Sequence, residues 1–141
     1  MKNFKRYYNW LLADAIMVIL VGAFMCFFNS TSIFIFDRFI NPYFWDNGHI
    51  NDYGTKEFMH FAYNLSGVLM MVWGVFLLFI LRNSFVKKEK WAWTAIFTSI
   101  AVWFPIDEFF SLYHGVYFNA LFNLIFLATF LLPLLLSKKS F

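Results

Sequence analysis

With one cysteine, three prolines and six glycines in 141 residues, this chain has little to staple it, kink it or loosen it. The lone thiol, Cys26, has no intramolecular disulfide partner, and a thiol in apolar surroundings is normally inert, which points away from redox chemistry. Charge is also scarce: only 13% of residues are Asp, Glu, Lys or Arg, against 62% hydrophobic. A soluble fold of this length keeps a large part of its surface wet and could not hide so much apolar area. Lipid is the solvent that suits such a composition. No phosphate loop, nucleophile elbow, haem pair or zincin motif occurs in the sequence. No internal repeat or low-complexity segment divides it either, so residues 1–141 form a single domain.

What charge there is lies in clusters. Lys2, Lys5 and Arg6 open the chain, Arg82, Lys87, Lys88 and Lys90 stand in its middle, and Lys138 and Lys139 close it. Only Arg38 and Lys56 fall elsewhere. About 20 apolar helical residues cross a bilayer core, and each interval between basic clusters has room for two crossings. Loops on the cytoplasmic side carry the Lys/Arg excess, which places both termini and the middle loop inside. The expected fold is therefore an all-α, integral-membrane four-helix bundle, N-in and C-in, with spans at about 10–28, 57–81, 91–113 and 116–136. The net charge of +3 follows from this topology and gives no nucleic-acid footprint. The 22 phenylalanines fit lipid-facing positions filled from A/T-rich codons rather than an aromatic ligand box.

Span one resembles a signal peptide in its basic start and apolar middle. It runs long and ends in bulky Phe27 and Phe28, which favours an uncleaved anchor. The long outer connection, residues 30–56, begins with the apolar Ile33-Phe34-Ile35-Phe36 and Phe39-Ile40 and Tyr43-Phe44-Trp45, too apolar for water. It is expected to extend span one or to lie along the interface as an amphipathic segment, a natural lid. Asn41-Pro42 breaks any helix there, and Asp46-Asn47-Gly48 reads as a turn. Asn29-Ser30-Thr31 matches the glycosylation pattern, though close to the membrane. Ser66, Gly67 and Gly74 give span two small surfaces for a close neighbour. Pro105 is expected to kink span three, and Gly115 marks the last outer turn.

Function has to be sought in polar groups that a bilayer makes costly, about 2.5–3.5 kcal/mol for an ionisable group at the centre by insertion scales. Asp37, Asp46, Asp52, Glu57, Asp107, Glu108 and all three histidines lie toward the outer side. Glu57, His60, Asn64, Gly67 and Met71 recur at three and four residues and share a face of span two. Ser99, Trp103, Asp107, Ser111 and His114 do the same on span three, and Asn119 and Asn123 on span four. The candidate ligand- or proton-binding residues are Glu57, His60, Asn64, Asp107, Glu108, Ser111, His114, Asn119 and Asn123. Asp107 is expected to face inward with Ser111, and Glu108 another helix or the interface. Desolvated carboxylates there would look to His60 or His114 for a partner. Asp14, one turn inside the cytoplasmic end, would look to Arg82 or Lys90.

Three readings of these residues stay open. They form a hydrogen-bonded network that fixes helix packing, a pocket responsive to a proton or ligand, or a metal site in which Glu57 and His60 join Glu108 or Asp107. Glu57-x-x-His60 has di-metal spacing, but no second copy occurs, and no metal or other cofactor is expected. The corresponding functions are an outward-facing pocket for a small amphiphile, cation or proton; an accessory subunit packing on partner helices or on itself; and a small lipid-modifying enzyme, for which no full catalytic set is present. The expected partners are membrane lipids, with no nucleic acid. In size, four-span plan and inside-facing termini, with Trp91-Ala92-Trp93 and Asp107 through Asn119 as the distinctive stretch, the chain resembles small bacterial membrane proteins of the DoxX-like kind. That resemblance implies the bacterial cytoplasmic (inner) membrane and assigns no residue a role.

Overall fold

The computed structural model describes residues 2–28, 36, 38–45 and 50–141. Four helices carry the chain: α1 (Lys2–Phe27), α2 (Tyr53–Ile80), α3 (Lys90–Tyr113) and α4 (Tyr117–Ser137). All four are long and apolar enough to cross a membrane. α1 starts eight residues before its expected apolar span, because nothing in Lys2–Asn9 breaks a helix and the basic side chains extend it as a polar first turn. α2 also starts early, at Asp52, whose carboxylate accepts from the Thr55 backbone N–H at 2.7 Å and caps the helix. The sequence-predicted turn Asp46-Asn47-Gly48, the glycosylation pattern at Asn29-Ser30-Thr31, the apolar run Ile33–Ile35, Asp37 and His49 lie outside the described residues.

Both termini and the turn after α2 share one end of the bundle, the basic end. α2 closes there in a π-helical turn, Leu81–Phe85, in which the Val86 N–H reaches Leu81 O at 3.1 Å. Lys88 then takes the left-handed region (φ 62°) and lays its ammonium over the Phe4 ring at 5.3 Å. Phe4 stacks on Phe85 at 5.8 Å, and Phe141 meets Phe85 edge-on at 4.8 Å, so the first, middle and last segments are tied together. The packed core fills this half, with Leu11, Val18, Leu77, Leu81, Phe85, Ile96, Phe130 and Leu134 all buried. Trp93 fastens α3 to α4 by donating its indole N–H to Leu134 O at 2.9 Å, near the end of α4 where carbonyls run out of helical partners.

Close backbone approach joins α1 to α2, α3 to α4 and α1 to α4; α2 and α3 have no comparable approach. The α1–α2 seam is made by glycine. A Cβ on Gly67 would lie 2.6 Å from Gly22 O and 2.8 Å from Cys26 N, and one on Gly22 would lie 2.6 Å from Gly67 O. Gly74 meets Ile19 and the Ala15 carbonyl in the same way one helical repeat along. Small residues let two backbones touch where lipid supplies no hydrophobic drive for association.

Candidate functional site: a cleft in the far half of the bundle

Tight packing at the basic end and the uneven pairing of helices leave the other half open. A cleft of about 1530 Å³ lies there, lined by all four helices and by Phe36 and Ile40. Its walls are apolar, and several of them stay exposed, among them Leu20 of α1, Leu69 of α2, Val102 of α3 and Phe122 of α4. The cleft therefore reaches the side of the bundle. Its floor is aromatic: Trp73 contacts Trp103 at 6.1 Å and stacks on Phe130 at 5.9 Å, while Phe126 meets Trp103 edge-on at 6.2 Å. At the far end, Phe36 stacks on Tyr63 at 4.3 Å and Phe39 on Phe118 at 4.7 Å, and the Tyr63 hydroxyl donates to Asn41 Oδ1 at 3.2 Å. Phe36, Phe39 and Asn41 thus bridge α2 and α4 over the cleft, with Asn41 buried and Pro42 in a short 3-10 turn.

One polar cluster stands in this wall. The Asp107 carboxylate accepts from Trp103 Nε1 on Oδ2 at 3.0 Å and from Asn119 Nδ2 on Oδ1 at 3.1 Å. Ser111 Oγ sits 2.7 Å from the Asp107 carbonyl oxygen, to which it donates, and 3.3 Å from Oδ1, while accepting from Asn119 Nδ2 at 2.8 Å. The local sequence makes this meeting unavoidable. The chain reverses around Gly115, whose φ of 71° is the left-handed conformation that glycine takes without strain, and the Val116 N–H closes back on Ser111 O at 2.8 Å. Ser111 and Asn119 stand four residues before and after that glycine, one helical turn up each antiparallel helix, and Asp107 and Asn123 stand a turn deeper.

Of the nine sequence-predicted site residues, Asp107, Ser111 and Asn119 are in direct contact, and Asn123 lines the same cleft. Asn123 is only 3% exposed, and its Nδ2 has no partner among the described residues. The α2 residues lie elsewhere. Gly67 and Gly74 face α1, so the stripe they share with His60 and Asn64 turns toward α1, while Tyr63, Ser66, Met70 and Trp73 face the cleft. His60 Nε2 and Asn64 Oδ1 are buried with no hydrogen-bond partner among the described residues, and no hydrogen bond joins either to Asp107. Glu57 is exposed in the second turn of α2. Glu108 is half-buried and points its Oε2 into an unpartnered place. His114 ends α3 on the surface, its ring against Tyr113 and Phe44. No three His, Cys, Asp or Glu side chains among the described residues come together as a metal site. Asp14 is 5% exposed, its Oδ2 has no hydrogen-bond partner among the described residues, and the expected pairing with Arg82 or Lys90 does not form: both cations stay exposed at the helix ends.

Trp103 belongs to the same cluster, although the sequence places it on the α3 stripe without counting it among the candidate binding residues. It stands one turn before Asp107 on the same face of α3, and its indole N–H is a donor that an apolar site has to satisfy. Outside the apolar helices, Asp52 and Glu89 carry hydrogen-bonded carboxylates. The Thr55 side chain and backbone hold Asp52 below its ordinary 3.8, and Ser84 and Trp91 hold Glu89 below its ordinary 4.5. No family model matches the chain, and no curated protein or solved structure matches it.

Proposed function

We propose that this is a multi-pass membrane protein whose cleft binds the hydrocarbon chain of one small amphiphile, taken from the bilayer through the side of the bundle. The basic end lies at the cytoplasmic face, so the cleft opens in the outer leaflet of the cytoplasmic membrane. The single observation that carries the reading is the cleft itself: about 1530 Å³, apolar-walled, reaching the lipid-facing side, with one polar cluster in its wall. Pockets for drug-sized ligands run to roughly 300–1,000 Å³ and combine apolar walls with a few placed polar groups. This one has the second property and exceeds the size, as a chain-plus-head ligand requires. A bundle held together only by its own packing would fill such a space, since protein interiors are close-packed.

The test is photolabelling in phosphatidylcholine nanodiscs with a diazirine-bearing tetradecyl alcohol. Labelling should concentrate on Met70, Trp73, Val102 and Trp103, saturate, and fall when Ser99→Phe narrows the cleft. Labelling that never saturates and follows exposed Phe76 and Phe109 instead would overturn the proposal.

A further inference from the structure

The donors and acceptors around Asp107 divide unevenly. Trp103 Nε1, Ser111 Oγ and Asn119 Nδ2 are all directed at this one residue or at each other. Those contacts fix the Asn119 amide with its nitrogen toward the carboxylate, because an amide oxygen there would face another acceptor. Asn119 Oδ1 is left with no hydrogen-bond partner among the described residues, and Asn119 lines the cleft. The carboxylate keeps spare capacity as well. An ionised Asp offers about four lone-pair sites, and Oδ2 receives only the Trp103 bond. Immediately around Asp107 the surplus is therefore of acceptors, while Asn123 Nδ2, buried a turn deeper in the same cleft, is a donor without a partner among the described residues. In its ionised form the carboxylate adds a negative charge, and no Lys, Arg or His among the described residues is hydrogen-bonded to it. Trp103 and Trp73 line the same cleft and touch one another at 6.1 Å, so an aromatic wall lies beside the carboxylate.

We infer that the head group this cleft selects is a protonated primary amine, carried on a single-chain amphiphile. The ammonium donates to Asp107 Oδ2 and Asn119 Oδ1 while its chain runs along the apolar walls between Trp73 and Val102. Charge-assisted bonds of this kind are roughly twice as strong as neutral ones, and they gain further where apolar walls exclude water. A carboxylate head would meet acceptors and like charge. An alcohol would satisfy one acceptor without the charge. This inference rests on the cleft being a chain-binding site, and the two fail separately in one experiment.

The experiment is competition against the same photolabel in phosphatidylcholine nanodiscs at pH 7 by three probes matched in chain length: tetradecylamine, tetradecanol and tetradecanoate, dosed by mole fraction in the bilayer. The amine should compete at about tenfold lower mole fraction than the alcohol, a difference of about 1.4 kcal/mol, and the carboxylate should be weakest. Asp107→Asn should bring amine and alcohol to within about twofold of one another while alcohol competition persists, which also reports that the variant is folded. Should that variant fail to fold, the wild-type protein still decides the matter. N,N,N-trimethyltetradecylammonium, which keeps the charge and loses the N–H donors, should compete several-fold less well than the primary amine. Equal competition by all three probes would overturn the head-group assignment and leave the chain-binding cleft standing. A preference for the carboxylate, an amine preference undiminished in Asp107→Asn, or a trimethylated probe as strong as the primary amine would also overturn it. No saturable competition by any probe would remove the cleft as a binding site and this inference with it.

Discussion

A carboxyl group in an apolar wall is costly, and the neighbours of Asp107 answer that cost one by one. Asp107 takes hydrogen bonds from Trp103 and Ser111 on its own helix and from Asn119 across on α4, and it is the Asn119 bond that helps to keep α3 against α4. Asn119→Ala and Asp107→Ala should each destabilise the protein by about 1–3 kcal/mol, the range for unpairing a group bonded to a charge. The double variant should cost about 0.5–3 kcal/mol less than the sum, since each single change orphans the same partner. Thermal unfolding in detergent measures all three. His60→Ala is the control: it shares no hydrogen bond with Asp107, so its effect should add to that of Asp107→Ala within about 0.5 kcal/mol. Asp107, Ser111 and Asn119 could be read from the sequence, because helical spacing on two sides of one glycine turn fixes their meeting. The position of His60 could not. A helical wheel gives the face a residue shares with its neighbours on the same helix, but not the helix that face meets. The clue was present in Gly67 and Gly74, on that stripe, since glycines mark where another backbone comes closest.

At the scale of elements, the bundle is uneven because α1 and α2 are drawn together by glycine, while the α2 and α3 backbones make no comparable approach and meet through side chains, Trp73 against Trp103 among them. The number of helices followed from the spacing of basic clusters. The cleft did not, because it depends on which helix pairs approach closely and which do not. Gly67→Ala puts a methyl within 2.6 Å of the Gly22 carbonyl and 2.8 Å of the Cys26 amide nitrogen, both backbone atoms that cannot turn aside. It should cost about 1–3 kcal/mol, as overpacking does. Gly54→Ala, with its nearest atom at an ordinary 3.4 Å, should change stability by no more than about 1 kcal/mol, with Ala the better helix former. The start of α2 should also respond to acid. Hydrogen bonds from Thr55 lower the folded-state value of Asp52 below 3.8. Its contribution is therefore complete above that ordinary value and is lost as pH falls through the lowered one. Amide exchange at the Thr55 N–H, corrected for its intrinsic pH dependence, should lose protection in that acid window and keep it at pH 6; Asp52→Ala should abolish the protection at both. Equal protection at Thr55 in the variant and the native chain would remove the cap.

For the whole molecule, the tight basic end and the open far end give the bundle a direction that lipid can read. Lys and Arg side chains crowd around the termini and the turn at 86–89, where Lys138 lays its ammonium over Trp93 at 5.1 Å and Lys88 caps Phe4, so charged tips stand clear of an aromatic rim. Basic residues flanking short loops are retained on the cytoplasmic side, and helices of 21 to 28 residues satisfy most of their backbone polar groups within the segment, as a bilayer requires, the end turns and the positions at Pro105 and Pro133 apart. On the proposed orientation, with the basic end inside, the Asp107 cluster, the mouth of the cleft and the bridge made by Phe36, Phe39 and Asn41 fall in the outer half. The orientation can be measured without reference to any ligand. In a Cys26→Ala background, single cysteines at Asn51 and at Lys88, both exposed and at opposite ends of α2, are challenged with a membrane-impermeant maleimide on intact cells and on inverted vesicles. Asn51→Cys should label only on intact cells, and Lys88→Cys only on inverted vesicles. Labelling of both from one side would break the four-crossing arrangement, because α2 alone separates the two positions. Labelling with the sides exchanged would keep the bundle and reverse it, and the cleft would then draw its amphiphile from the cytoplasmic leaflet.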